Sequence, residues 1–371
     1  MKKIMNLFPL MCVSFFMASC GSGGSNSTSS QGDSNSIPKF KEIGFGYNFL
    51  CGVTTDNKPS CIGYDNNNGQ NGNGSTKATT KFTSVSNLNH VDSVRVGEDN
   101  ACFINNGEVF CSGDNAEGQL GNGTRIDSHV PVKVTGISNV KDVVMMGLST
   151  CALTNNDELY CWGDNSDWND IQNPKISLTP IKMNTQNLIF NSIFSSPDGF
   201  CAVSNDKNVY CVLMGKFPKP NLIQNLTDVK SIVSNGFTYC ALKNSGEAWC
   251  WGSGKHGELG NGSNADYTPI PVQVLNVNNF NSLAISNATV CGTTTDAKAY
   301  CWGDGSKGAL GNGNTSNYFV PTQVQTDKKL IQISGKMDSF FGLDELGSLY
   351  YWGTNATITP SEVTHNTPVG L

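Results

Sequence analysis

Short runs of alternating apolar and polar residues recur along the chain, separated by segments rich in glycine, asparagine and serine. The copy from Cys151 to Gly163 has two such runs on either side of the polar centre Asn155-Asn156-Asp157. Two strand-like runs joined by so short a polar centre predict a β-hairpin. Seven copies of this hairpin follow one another at a spacing of about fifty residues, which indicates a repeat architecture.

Each of the first six hairpins contains two cysteines separated by nine or ten positions, and the seventh has Phe341 and Tyr351 in their place. This spacing puts the two cysteines opposite each other on adjacent antiparallel strands, about 4.5 Å apart at Cα, a distance that a disulfide can bridge. We therefore predict six cross-strand disulfides: Cys51 with Cys61, Cys102 with Cys111, Cys151 with Cys161, Cys201 with Cys211, Cys240 with Cys250, and Cys291 with Cys301. Thiolate metal sites are the alternative, but C-x-x-C spacing is lacking and the four histidines are scattered.

The hairpin centres predict specific turns. Where ten positions separate the cysteines the loop has three residues, and its last residue tends to adopt a left-handed conformation. In four copies that position holds a residue that tolerates the conformation: Asn57, Asp157, Gly246 and Gly347. In the other two it holds a less suitable residue, Lys207 or Ala297. The shorter second copy centres on Asn106-Gly107, a strong two-residue hairpin signal.

Two further strand-like elements accompany each hairpin. An alternating run such as Val140 to Gly147 precedes it, and a short element that begins with proline, such as Pro131 to Val134, comes before that run. Four strands in about fifty residues are typical of a propeller blade. The last proline element, Pro360 to Val363, has no hairpin after it, so we expect this C-terminal strand to complete the first blade and close the ring.

The N-terminus has the zones of a secretory signal: a basic start, an apolar stretch from Ile4 to Met17 and small residues before Cys20. Met17-Ala18-Ser19-Cys20 resembles a bacterial lipobox, which implies a signal peptide over 1–19 and acylation of Cys20. An ordinary cleaved signal peptide without an anchor is the alternative. Residues 20–36 are mostly Gly, Ser, Asn and Thr and are predicted to form a flexible tether, leaving 37–371 as the folded domain. Gly21 after the cysteine points to the outer membrane.

Composition narrows the range of partners. Removal of 1–19 leaves 22 basic against 30 acidic residues, without Lys/Arg clusters, so the electrostatic pattern of a nucleic-acid-binding protein is missing. Export also favours disulfides, since thiols are oxidised outside the cytosol. We expect a monomer that contacts the membrane through its lipid anchor.

Glycine-rich loops follow several hairpins. The run from Cys111 to Thr124 includes Gly118-Gln119-Leu120-Gly121-Asn122-Gly123, and related runs occur at 257–262, 308–313 and, more weakly, 69–74. They resemble the signature of the regulator of chromosome condensation repeat family over residues 40 to 363, which implies a seven-bladed, all-β propeller. Family members include a nucleotide-exchange factor and protein-binding platforms. The signal sequence and the acidic balance argue against nuclear activities here.

Two neighbouring units depart from this pattern. The third replaces the glycine loop with 166–171, which includes Trp168, and the fourth compresses it to 212–218, which includes Phe217. Aromatic residues on variable loops of a rigid scaffold are typical interface anchors, so Trp168 and Phe217 are candidate partner-binding residues. Simple repeat decay is the alternative. The tryptophans after the last hairpin strand, Trp162, Trp251, Trp302 and Trp352, are interpreted as blade-packing residues.

The sequence shows no set of nucleophile, base or metal-ligand residues at a spacing that would suit catalysis, and each cysteine after Cys20 has a predicted disulfide partner. We therefore predict that the chain is not an enzyme and needs no cofactor or metal. The recurring Asp114, Asp164 and Asp304 are interpreted as turn caps. We expect a lipid-anchored interaction module of the bacterial cell envelope, periplasmic or surface-exposed, that binds a protein. The alternative is an envelope enzyme or glycan-binding protein acting on polysaccharide or peptidoglycan.

Overall fold

The computed structural model describes residues 37–165, 175–213, 217–354 and 357–364. These residues form seven four-stranded antiparallel sheets, and within the described ranges there is no helix. The prediction of an all-β, seven-bladed propeller is confirmed. It follows that no helix in these ranges has the length and apolarity needed to span a bilayer.

Each blade takes four consecutive strands. In chain order they are β1 Phe40–Phe45, β2 Phe49–Thr54, β3 Pro59–Gly63, β4 Thr79–Ser84; β5 Ser93–Val96, β6 Asn100–Asn105, β7 Glu108–Gly113, β8 Ser128–Lys133; β9 Val140–Met146, β10 Ser149–Thr154, β11 Leu159–Asp164, β12 Ile176–Lys182; β13 Phe190–Ser196, β14 Gly199–Ser204, β15 Asn208–Leu213, β16 Phe217–Thr227; β17 Val229–Ser234, β18 Thr238–Lys243, β19 Ala248–Ser253, β20 Tyr267–Gln273; β21 Phe280–Ile285, β22 Thr289–Thr294, β23 Ala299–Gly303, β24 Tyr318–Gln323; β25 Leu330–Lys336, β26 Ser339–Asp344, β27 Leu349–Gly353, β28 Ser361–Glu362.

The first strands of successive blades contact one another around the whole ring, including β25 with β1. They therefore surround the central channel, and the fourth strands lie on the outside. Because the strands alternate in direction, the turns between first and second strands lie at the same end as the loops between third and fourth strands. We call this the turn end, and the opposite end, which carries the hairpin loops, the hairpin end.

Seven hydrophobic cores lie between neighbouring blades, each built from residues of two sheets. In the seventh blade the rings of Phe341 and Tyr351 contact each other at the positions that hold cysteines elsewhere, with centroids 4.8 Å apart. Aromatic contact thus replaces the covalent link there.

The six predicted disulfides are all confirmed, and their Cα atoms lie 4.0–4.1 Å apart. In each blade the two cysteines are directly opposed on the second and third strands, and they are buried between the blades. The bonds join Cys51 to Cys61, Cys102 to Cys111, Cys151 to Cys161, Cys201 to Cys211, Cys240 to Cys250, and Cys291 to Cys301.

The hairpin loops also match the sequence. The last residue of each three-residue loop is left-handed, and this holds for the unfavourable residues too, with φ of 66° at Lys207 and 60° at Ala297. Asn106 and Gly107 both have positive φ, as a two-residue hairpin of the predicted type requires. The register fixed by the paired strands decides the turn even where the residue is poorly suited to it.

The expected role of the C-terminal strand is wrong. β28 pairs with β27 and completes the seventh blade, while the first blade has its own fourth strand, β4. The proline elements are therefore the outer strands of the hairpins that precede them. In the second blade, for example, Val132 of β8 pairs with Cys111 of β7. A repeat has no marked starting point in the sequence, and each blade begins one strand later than the sequence pattern predicts.

The ring closes by contacts between the seventh and first blades. Phe45 meets Phe341 edge-on with centroids 4.9 Å apart, and Phe40 N donates to Gly347 O at 3.0 Å. The side-chain amide of Gln332 bonds to both backbone groups of Ile43, accepting from Ile43 N at 3.1 Å and donating to Ile43 O at 2.8 Å. The first and seventh sheets each keep their own four strands, so the junction forms without an exchanged strand.

Candidate functional site

All seven blades contribute to a polar opening of the channel at the turn end. The opening has a volume of about 360 Å³ and is bordered by the turns after the first strands, including residues 195–197, 234–235 and 286–287. Nine of the nineteen lining residues are Ser, Asn or Gly, two are charged and the other eight are apolar or aromatic. The channel mouth therefore presents hydroxyl, amide and backbone groups next to apolar side chains.

Two large apolar side chains that line this mouth are well exposed, Phe237 of the fifth blade at 76% and Met337 of the seventh at 45%. Leu148 of the third blade, 47% exposed, follows Gly147, which also lines the mouth. Single exposed apolar residues are common on protein surfaces, but these three lie in equivalent turns at one end of the ring. Apolar anchors around a polar centre are the arrangement in which binding energy concentrates at protein interfaces.

A charged bridge crosses one side of the mouth. Lys336 Nζ lies 3.3 Å from Glu98 Oε1 and 4.6 Å from the centre of the Tyr47 ring. It thereby joins the seventh blade to the first and second. The Glu98 carboxylate, together with burial, raises the pKa of the Tyr47 phenol, so this hydroxyl stays protonated and able to donate at neutral pH.

A second feature of the turn end lies between the fourth and fifth blades. A cleft of about 340 Å³ is lined by Leu213, Ile223, Tyr239, Trp251, Tyr267 and Pro269. Phe237 borders both this cleft and the channel mouth. The two features therefore form one surface.

The floor of the cleft is held by a hydrogen-bonded group between the two blades. The Tyr239 hydroxyl donates to Asp198 Oδ1 at 2.9 Å, and Ser196 Oγ donates to the same oxygen at 2.6 Å. Burial raises the pKa of Tyr239, so the phenol remains a donor. The rings of Tyr239 and Trp251 stack with centroids 5.4 Å apart.

The candidate residues of the sequence analysis are only partly placed. Cys20 and Trp168 lie outside the described residues, and Phe217 is described by its backbone alone, which starts β16 and pairs with Leu213. Their proposed roles stay predictions. Within the compressed segment 212–218, Leu213 lines the cleft. Phe237 was missed.

One signal could have revealed Phe237. It lies three residues before the first cysteine of its hairpin, and the equivalent positions hold mostly short or polar residues: Asn48, Asp99, Leu148, Asp198, Ala288 and Asp338. Asn and Asp are common at turns because their side chains hydrogen-bond the turn backbone, and an aromatic residue at this position cannot do so. That contrast is visible in the sequence once the seven units are aligned.

The predicted turn caps are confirmed for two of the three aspartates. Asp114 Oδ1 accepts from Ala116 N at 3.1 Å and Asp304 Oδ1 from Ser306 N at 2.9 Å. Across the described ranges, His, Cys, Asp and Glu side chains do not assemble in groups of three that could hold a metal ion. The Asn66 amide donates to the carbonyls of Ser75 and Lys77, so it holds its own loop in place.

The glycine loops have a defined structural task. Trp162 Nε1 donates to Gln119 O at 2.8 Å, Trp302 Nε1 to Glu258 O at 2.8 Å, and Trp352 Nε1 to Ala309 O at 2.9 Å. Each loop thus packs on the tryptophan of the next blade. This confirms the blade-packing role of these three residues.

A family model described as "Regulator of chromosome condensation (RCC1) repeat" matches residues 106–153, 245–292 and 296–335, and a second model of that description matches 147–167 and 229–258. These segments of the chain are RCC1 repeats. Among curated proteins, a mitochondrial RCC1 domain-containing protein, RUG3 of Arabidopsis thaliana, is 32% identical over 38% of this chain and 32% of its own length. The ultraviolet-B receptor UVR8 of the same plant is 27% identical over 37% and 32%. The chain thus spans about a third of the length of these relatives.

Two solved structures share this architecture. Human WBSCR16 superposes with a TM-score of 0.71 at 18% identity, over 83% of this chain and 88% of that one. Yeast RCC1 (Prp20), solved with Kap60 bound, gives 0.70 at 17% identity over 95% and 92%. At such identities the likeness establishes the fold and leaves the partner of this chain open.

Proposed function

We propose that this RCC1-repeat propeller is a non-enzymatic interaction module that binds a protein partner through its turn end. The observation that carries the proposal is the exposed pair Phe237 and Met337 at the channel mouth, with Leu148 in an equivalent turn, continuous with the cleft beside Trp251. Support comes from relatives of the same fold, since yeast Prp20 is named in complex with Kap60 and for binding Gsp1p and histones.

We further propose that the module is attached to the bacterial cell envelope by acylation of Cys20. The support is the lipobox-like sequence before that residue and the composition of 20–36, which suits a tether between membrane and ring. The mass of the mature N-terminal peptide tests this directly. An unmodified Cys20, or cleavage elsewhere, would leave a secreted protein without an anchor.

Affinity capture from envelope extract tests the binding face. The full chain is compared with Phe237→Ala plus Met337→Ala, and with Leu346→Ala as the matched control. Leu346 is 77% exposed but lies in a loop of the hairpin end. Since exposed side chains contribute little to folding, all variants should fold.

We expect the double variant to retain less than about a tenth of the captured partner, because loss of two anchors costs more than about 1.4 kcal/mol. The Leu346→Ala variant should capture as the unaltered chain does. Loss of capture in Leu346→Ala alone would place the interface at the hairpin end and refute the proposed face.

A further inference from the structure

Four hairpins carry a glycine loop that reaches the next blade, and three of these loops meet a tryptophan. A Cβ atom added to the glycine over the indole would lie 2.7–3.0 Å from its Nε1, at Gly121 over Trp162, Gly260 over Trp302 and Gly311 over Trp352. Only a residue without a side chain fits so close to a ring. The loop also donates a backbone N–H to the outer strand of that next blade, as Gly123 N does to Leu178 O at 2.9 Å.

The fourth blade lacks such a loop, because β15 and β16 are separated by only three residues. The tryptophan that would receive it is Trp251 of the fifth blade. Its ring stacks on Tyr239 at an interplanar angle of 14°, much as Trp352 stacks on Phe340 at 20°. The indole is thus held in a similar stack to its equivalent, and none of the glycines in the described ranges lies over it as Gly311 lies over Trp352.

The Trp251 indole N–H has no hydrogen-bond partner among the described residues, although the residue is only 6% exposed and lines the cleft. Its three equivalents all donate to a loop carbonyl. The Trp251 nitrogen is also not among the buried side-chain atoms that lack a partner, so solvent reaches it through the cleft, and a backbone carbonyl that enters the cleft can take the place that a loop carbonyl has at the three equivalents. The carbonyl of Pro269, which lines the cleft, corresponds to that of Leu178, the acceptor of a loop N–H in the third blade.

We propose that the cleft between the fourth and fifth blades is a seat for a glycine-containing turn of a protein partner. The turn supplies a backbone carbonyl to Trp251 Nε1, a backbone N–H to the Pro269 carbonyl, and a glycine over the indole. Phe237 and Tyr267, which are 76% and 67% exposed, flank its entrance. This inference rests on the proposed protein-binding function and specifies what one part of the partner looks like.

A polypeptide turn fits better than another ligand because three blades show what fills the equivalent seats. The loops that occupy those seats are already buried, with Leu120 and Leu310 fully inaccessible. They are therefore unavailable to a second copy of this chain, and we assign the turn to another protein.

The test uses a head-to-tail cyclised hexapeptide with the sequence of residues 118–123, titrated into the full chain while the indole N–H resonances are followed by NMR. A control peptide replaces the glycine that corresponds to Gly121 by valine. Protein variants are Trp251→Phe, which keeps the ring but removes the donor, and Trp302→Phe as the matched control, whose N–H is already bonded to Glu258 O. A chitooligosaccharide is titrated in parallel.

We expect the Trp251 indole resonance to shift when the peptide is added. The peptide should bind about fivefold more weakly to Trp251→Phe and with unchanged affinity to Trp302→Phe. The valine peptide should not bind. Before addition, the Trp251 indole N–H should exchange with solvent at least tenfold faster than the other three. The proposal is overturned if the Trp251 resonance does not respond at millimolar peptide, if both variants bind equally, if the valine peptide binds as well, or if the oligosaccharide alone shifts it. Partner capture that depends on Phe237 but not on Trp251 would leave the proposed function standing and remove only the seat.

Discussion

Removal of the Gln332 amide should loosen the junction that closes the ring. In Gln332→Ala both hydrogen bonds to Ile43 are lost, and the backbone N–H and C=O of that residue are left without these partners. A hydrogen bond of this kind contributes about 1 kcal/mol net, so we expect the free energy of unfolding to fall by about 2 kcal/mol. For a folded body of this size that lowers Tm by roughly 4 °C.

Gln273→Ala is the matched control. Gln273 is exposed on the outer strand β20 and makes one hydrogen bond, at 3.3 Å, to the Glu247 carboxylate, so its loss should change stability by less than about 0.5 kcal/mol. Urea unfolding followed by tryptophan fluorescence measures both variants. Equal stability of Gln332→Ala and Gln273→Ala would refute closure through the Ile43–Gln332 pair.

Three further predictions concern stability. Ala297→Gly should stabilise the chain by about 1 kcal/mol, since Ala297 has a φ of 60°. Ala299→Gly in the buried strand β23 should destabilise the chain. If urea unfolding gave both variants a change in stability of the same sign, this prediction would be contradicted. The cysteines of all six disulfides are at most 2% exposed. Dithiothreitol should therefore leave the disulfides intact in the native state and release twelve thiols after unfolding. Alkylated cysteines found by mass spectrometry in the native state would contradict this prediction. Burial and, secondly, the Asp344 carboxylate raise the pKa of Tyr350 to about 12, whereas an unfolded tyrosine ionises near pH 10. The stability that this group provides is therefore complete below about pH 10 and is lost as the pH rises to about 12. The variant Tyr350→Phe should flatten that decline in stability, and an unchanged pH profile would exclude the contribution.

The sequence predicts the blades well because cysteine spacing and strand alternation both report the same register. That register even sets the left-handed turns at Lys207 and Ala297. The phase of the repeat was not predictable in the same way. A proline element joins the hairpin before it because the glycine loop turns the chain back onto that hairpin, as the pairing of Cys111 with Val132 shows. No local sequence pattern indicates which of the two neighbouring hairpins the element will pair with.

The site was only half predicted, for a related reason. The shortened unit after Cys211 is visible as a change of period, and it does mark the place where a loop is lost. The consequence falls on the neighbouring blade, where Trp251 lines an open cleft and its N–H lacks the loop carbonyl that its equivalents bond, and a sequence read unit by unit does not connect the two. Phe237 joins the site only because the ring brings its turn beside both the channel mouth and the cleft.

Hydrogen–deuterium exchange of the full chain, free and with its captured partner, tests the central claim most directly. The account predicts slower exchange on binding in the turns at 146–149, 235–238 and 336–339, and unchanged exchange in the hairpin loops at 155–157 and 345–347. Protection confined to the hairpin loops would contradict the claim that this propeller recognises a protein through its turn end.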